Sequence, residues 1–169
     1  MLYKILLLLF MVMSSLNLHA IDKQFGTIVE VIDGDTVKIK NSAGVIKKMR
    51  LSGIDTPESY NNTKAKRDTY KCKILDYKYL HLGLSAKEFL QDMVAKNNTV
   101  SYKTVGYGRY HRDIVYIDGI NELIVKNGWC IVKNYNKLSK DKLDYLRSLE
   151  QDAKDRHVGI WRYLKTRCY

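Results

Sequence analysis

Proline is almost missing from this chain: Pro57 is the only one in 169 residues. A proline-rich low-complexity segment is thereby excluded. Cysteine is scarce too. Cys72, Cys130 and Cys168 form no C-x-x-C pair and no Cys/His cluster at zinc-site spacing. A thiol–zinc centre is therefore excluded, and an odd count leaves at least one thiol unpaired or paired between chains. Cys130 lies in Trp129-Cys130-Ile131-Val132 and reads as a core residue. Acids are in deficit, 18 Asp and Glu against 29 Lys and Arg, for a formal net charge of +11. That excess suits a polyanionic partner: nucleic acid, an anionic membrane surface or an acidic glycan. Internal repeats are absent, the N-terminal apolar run is too short for a comfortable membrane span, and no other segment could make one.

The one apolar run, Ile5 to Met13, follows Lys4 and precedes Ser14, Ser15 and a stretch ending Leu18-His19-Ala20. It reads as a secretory signal over residues 1–20, cleaved after Ala20. The expectation is one domain over 21–169 in a secreted or periplasmic protein. An uncleaved N-terminal anchor is the alternative.

Thr27 to Ile32 is β-branched and strand-like, and Thr36 to Lys40 sets Val37 and Ile39 against Lys38 and Lys40. Asp33-Gly34-Asp35 between them is a tight-turn signal, and Asn41 to Gly44 is a second turn. Val45 to Ser52 gives a third strand. This opening meander ends at Gly53-Ile54-Asp55-Thr56-Pro57-Glu58, where proline lacks a donor to continue. Residues 59–80 are polar and basic and read as a loop with some helix. Ser85 and Glu88 form an S-x-x-E capping box that predicts a helix start. Ala86, Phe89, Leu90, Met93 and Val94 follow as one apolar face. Strands at Thr99–Val105 and Asp113–Ile117 come next, then helices over 121–126 and 140–156. The last has Tyr145, Leu146, Leu149 and Ala153 facing inward, and Gly159-Ile160-Trp161 docks the tail. Five short strands with a helix after the third predict an α+β, mainly β protein: a five-stranded OB-fold barrel with three helices.

Polar residues gather where these strands end: Asp33 to Thr36, Arg50, Asp55 to Glu58, and Gly108 to Arg112. In a meander, neighbouring strands bring such positions to one end of the barrel. Two carboxylates with backbone carbonyls suit a hard cation, Ca²⁺ or Mg²⁺, rather than zinc. Arginines supply forked donors for phosphate, and a carboxylate free of metal can act as general base on water. Phosphodiester hydrolysis needs those parts.

Val31 to Val37, Arg50-Leu51, Gly53 to Glu58, Asn121-Glu122 with Val125 and Gly128, and Gly159-Ile160-Trp161 together resemble the staphylococcal nuclease (thermonuclease) family. The resemblance runs from about Gly26 to Trp161. It implies an OB barrel with three helices and calcium held by Asp35, Asp55 and the Thr56 carbonyl. Asp33 would support the turn. Glu58 matches the residue assigned as general base, and Arg50 matches a phosphate-binding arginine. The implied activity is a calcium-dependent endonuclease that cleaves DNA and RNA with little sequence preference and leaves 3′-phosphates. A monomer with no stable protein partner is expected.

The second catalytic arginine has two readings. Tyr107-Gly108-Arg109 matches the family tripeptide literally. Tyr110-His111-Arg112 keeps the more natural distance to Asp118-Gly119 and leaves Asp113–Ile117 unbroken, which favours Arg112. Arg109, Tyr107 and Tyr110 are then expected to contact substrate. The segment after Glu58 departs from the family in length and basicity. The competing reading is an OB domain that binds single-stranded nucleic acid without cutting it; such a retired enzyme should lack one of the site residues, and this chain keeps them all.

Overall fold

The computed structural model describes residues 23–134, 138–164 and 168. The secretory-signal expectation for residues 1–20 lies outside the described residues.

The chain begins with β1 (Gln24–Asp33), β2 (Thr36–Asn41) and β3 (Ile46–Leu51), paired antiparallel in sequence. Two register shifts in β1, between Ile28 and Glu30 and between Val31 and Asp33, mark bulges. Bulges bend a strand and raise its twist, which lets β1 pair with β2 along one part and with β5 (Thr99–Tyr107) along another. The barrel closes in the order β1-β2-β3-β6-β5, with β6 (Asp113–Ile117) parallel to β3 and antiparallel to β5. A short ribbon outside it pairs β4 (Ile54–Asp55) with β7 (Ile131–Val132). The five-stranded OB-type barrel expected from the sequence is the architecture observed.

Inside the barrel, Val37, Ile39, Met49, Leu51, Val115 and Ile117 form one buried cluster with Leu90. The alternation of β2 explains its share: Val37 and Ile39 are fully buried while Lys40 is exposed. No helix among the described residues is long and apolar enough to cross a membrane.

Four α-helices are described, one more than expected. They are α1 (Thr63–Cys72), α2 (Asp76–Lys96), α3 (Ile120–Lys126) and α4 (Lys140–Asp155). The additional one, α1, falls in the segment read as a loop with some helix. Asn62 starts it by accepting the Ala65 backbone N–H at 2.8 Å, and Lys73 ends it in the left-handed conformation at φ 50°. The Ser85–Glu88 capping box is not a helix start. Helix α2 begins at Asp76 behind Leu75, which makes no side-chain cap, and Ser85 lies mid-helix. Its buried face is Tyr79, Leu82, Gly83, Ala86 and Leu90. On α4, Leu146 and Ala153 are buried as expected, whereas Tyr145 is 51% exposed and Glu150 faces inward instead. Glu150 is tolerated there because it accepts the Val132 N–H at 2.8 Å and pairs with Lys154 at 2.8 Å. Cys72, Cys130 and Cys168 are all buried free thiols.

Candidate active site

Asp33 ends β1 and Thr36 opens β2, so Asp33-Gly34-Asp35-Thr36 is the hairpin turn itself. Gly34 is needed there for space. A β-carbon on it would stand 2.9 Å from Ala86 Cβ and 3.0 Å from both Thr56 Oγ1 and Thr56 Cγ2. The turn is thus wedged between α2 and the segment after β4, and that wedge buries Asp35 beside Thr56.

Asp35 is only 3% exposed. Its Oδ1 accepts from Thr36 Oγ1 at 2.9 Å and from Arg50 at 2.8 Å, and its Oδ2 accepts the Thr56 backbone N–H at 3.2 Å. Arg50 reaches it because Thr36 and Arg50 are partners in the β2–β3 ladder. The other Arg50 nitrogen donates to Asp55 Oδ1 at 2.8 Å. One guanidinium therefore clamps both carboxylates, the forked geometry that arginine provides and lysine does not. Burial works against the Arg50 charge, but Asp35 and Asp55 outweigh it and hold the group above its usual range. Burial raises the Asp55 carboxyl, against the pull of Lys64 and Arg50. Burial, then the Asp35 charge, pushes Asp33 up to about 6.

Glu58 follows β4 by three positions, and both of its oxygens are held. Oε1 is 2.9 Å from Lys64 Nζ, and Oε2 accepts from Asn62 Nδ2 at 2.6 Å. Lys64 also donates to the Thr56 carbonyl at 3.1 Å and lies 3.5 Å from Asp55 Oδ1 and 3.4 Å from Asp68 Oδ2. Burial opposes its charge, yet Asp55, Tyr79 and Glu58 hold its pKa above the ordinary lysine value. Sequence reasoning missed Asn62, Lys64 and Asp68. The legible signal was an Asn cap followed by a Lys and an Asp at i, i+4 spacing, but no apolar stripe marked the helix.

The two arginine candidates part company. Arg112 follows the 3₁₀ turn Arg109–His111 and precedes β6. Burial and then the nearby Arg50 charge lower its pKa, while Asp35, Tyr60 and Glu58 pull it up, so it shares the field of the acidic cluster. Its Nε is buried and has no hydrogen-bond partner. A buried donor left unpaired is costly unless a ligand completes it. Arg109 is exposed and lines a groove with Lys47, Lys48, His111, Arg112 and Asp113. Tyr107, at the end of β5, is 72% exposed. Tyr110 belongs to the 3₁₀ turn, and its side chain lies outside the described residues.

Asp35, Asp55, the Thr56 carbonyl, Glu58, Arg50 and Arg112 thus converge, with Arg109 and Tyr107 on the flank. Asn121 has a separate, structural job: it accepts the Ile117 N–H at 3.0 Å and donates to the Ser52 carbonyl at 2.8 Å, pinning α3 to the barrel. Among the described residues, no three His, Cys, Asp or Glu side chains gather in metal-binding geometry. A cation here would rest on two carboxylates and a backbone carbonyl. All are hard oxygen donors, which fits Ca²⁺ chemistry.

Residues 48–163 match the family model described as staphylococcal nuclease homologue. That span includes Arg50, Asp55, Glu58 and Arg112 and begins after Asp35. An uncharacterized protein of Methanocaldococcus jannaschii is 34% identical over 152 residues, covering 82% of this chain and 72% of that one. Endonuclease YhcR of Bacillus subtilis is 26% identical over 80% of this chain, which spans only 11% of YhcR. An uncharacterized endonuclease of Haemophilus influenzae is 28% identical over 92% of this chain and 75% of its own length. With the matched span covering the barrel strands β5 and β6 and most of β3 together with every described α-helix, the chain belongs to the staphylococcal nuclease homologue family, whose members act on nucleic acids.

Proposed function

We propose that this protein is a secreted, calcium-dependent nuclease that hydrolyses phosphodiester bonds of DNA and RNA with little sequence preference. The observation that carries the reading is the Arg50 clamp. It draws Asp35 and Asp55 together beside the Thr56 carbonyl, with Glu58 next to them.

In this reading Asp35, Asp55 and the Thr56 carbonyl hold Ca²⁺. The ion, when bound, supplies Lewis-acid polarisation of a phosphoryl oxygen and favours ionised water. Glu58 takes the proton of the attacking water. Arg50 and Arg112 donate to the non-bridging oxygens as negative charge grows on the pentacoordinate phosphorus. The unpaired Arg112 Nε is a donor poised for that charge. Arg109 and Tyr107 lie outside this shell, where they suit contacts to flanking phosphates and bases. The excess of Lys and Arg adds sequence-independent attraction to the polyanion. A binding-only OB domain needs none of the Asp35–Arg50–Asp55–Glu58 assembly, so the enzyme reading accounts for more of the structure.

The test is degradation of plasmid DNA and of RNA by the purified protein with calcium, with magnesium and with chelator. Calcium-dependent cutting of both is expected. Retention of single strands without cutting under any condition supports the binding domain instead.

A further inference from the structure

Lys64 sits in the first turn of α1, and its ammonium is surrounded by oxygen. The Glu58 Oε1 lies at 2.9 Å, the Thr56 carbonyl at 3.1 Å, Asp68 Oδ2 at 3.4 Å and Asp55 Oδ1 at 3.5 Å. Its side chain is 25% exposed, and α1 is fixed at its start by the Asn62 cap. An ammonium with oxygen neighbours on several sides is a tethered monovalent cation. Two of those oxygens belong to the ligands assigned to calcium, and a third belongs to the assigned general base.

The same oxygens cannot serve both ions. Calcium draws oxygen ligands to about 2.3–2.6 Å, closer than any ammonium hydrogen bond allows. Like charges at such range also repel strongly in a partly buried site. Within the cluster Asp35, Asp55, Glu58 and Asp68 face Arg50, Lys64 and Arg67, with Arg112 close by, so acids and bases already balance. A divalent cation therefore enters only if the ammonium moves. Asp68 gives it somewhere to go. It lies one turn along the same helix, already within 3.4 Å through Oδ2, while Arg67 pairs with its Oδ1 at 3.0 Å and the Tyr79 hydroxyl donates to it at 3.0 Å.

We propose that Lys64 is a built-in competitor for the cation site: it occupies the Thr56, Asp55 and Glu58 oxygens when calcium is absent, retreats toward Asp68 when calcium binds, and so sets the calcium affinity. The inference rests on the calcium reading above. Its consequence for catalysis is direct. Glu58 is paired on both oxygens, by Lys64 and by Asn62, and release of Lys64 frees one oxygen to accept a proton from water. Lys64 is thus a positioning residue that couples metal entry to the availability of the base.

The experiment is calorimetric titration of calcium into the wild-type chain, Lys64→Met and Lys64→Arg, with thermal unfolding of each in chelator and in calcium. Lys64→Met should bind calcium at least about tenfold more tightly, because a repelling charge is gone. It should melt below wild type in chelator and gain more from calcium. Lys64→Arg should restore weak binding, to within about threefold of wild type, since the charge is retained. If the methionine variant does not fold, Lys64→Gln, which is also neutral, should show the same gain. Calcium binding to the neutral variant that is equal to or weaker than wild type overturns the competitor role alone. Failure of all variants and of wild type to bind calcium overturns both this role and the calcium reading of the site.

Discussion

Gly83 of α2 lies flat against the backbone of Glu58: a β-carbon at Gly83 would stand 2.1 Å from the Glu58 carbonyl oxygen and 2.3 Å from its carbonyl carbon. The contact is backbone on backbone, so no side-chain rotation relieves it. Glycine in the middle of a helix has a low propensity, and here it is what allows the helix to support the segment that carries the base. Gly83→Ala should push Glu58 and Ser59 away from the site. The expected loss is about 1–3 kcal/mol of stability, with a larger fall in turnover than in substrate binding. Denaturant unfolding and kinetics on the same preparation check this. A variant as active as wild type would show that the base does not depend on that support.

Arg50 joins Asp35 and Asp55 through two nitrogens, each at 2.8 Å. Lysine has one ammonium and no fork. Arg50→Lys should therefore retain charge but lose the clamp, lowering stability by about 1–3 kcal/mol as a buried carboxylate loses its partner. Activity should fall at least about tenfold, since a donor to the transition-state charge is misplaced along with the clamp. Equal melting temperatures in chelator would contradict the clamp.

The arginines at 109 and 112 differ in what surrounds them. Arg112 is half-buried beside the acidic cluster with an unpaired Nε, and Arg109 is exposed on the turn. Arg112→Ala should lower turnover by about 10²-fold, the range for losing a donor to transition-state charge. Arg109→Ala should change mainly substrate affinity and its salt dependence. Steady-state kinetics at two salt concentrations separate these outcomes, and the reverse pattern would assign the catalytic role to Arg109.

How much of this was visible in the sequence depended on whether an apolar pattern framed the residues. Asp35, Arg50 and Asp55 were legible because they end strands whose alternation is strong, as in Val37 and Ile39 of β2. Lys64 and Asn62 were not. The helix that carries them buries only Ala65, Thr69 and Cys72, which are too small and too polar to form a readable stripe. Ser85 and Glu88 misled for a related reason: S-x-x-E occurs by chance within a helix, while the true start at Leu75 and Asp76 has no capping side chain to announce it. Glutamate is a residue type seldom buried, and only the fold shows the Val132 N–H that Glu150 accepts. Tertiary hydrogen bonds of that kind leave no local signature.

Asp33 gives a pH dependence with a definite sign. Its carboxyl is pushed up to about 6 by burial and by Asp35, against 3.8 for an unperturbed group. The folded state then binds this proton more tightly than the unfolded chain does. The stabilisation is therefore complete below about pH 4 and is lost as pH rises to about 6. In chelator, Asp33→Asn, which can still accept the Gly34 N–H, should be more stable than wild type above pH 6. The gap should be at most about 3 kcal/mol and should close toward pH 4. Unfolding in urea at several pH values measures it, and a gap that widens as pH falls would contradict the assignment.

The central claim is that Glu58, beside the Arg50-clamped carboxylates, removes the proton from the attacking water. The most direct measurement is single-turnover cleavage of a labelled oligonucleotide by wild type and Glu58→Gln in saturating calcium, with nucleic-acid binding measured in parallel. The account predicts a fall in the cleavage rate of about 10²–10⁴-fold with binding retained. Cleavage at the wild-type rate would contradict it.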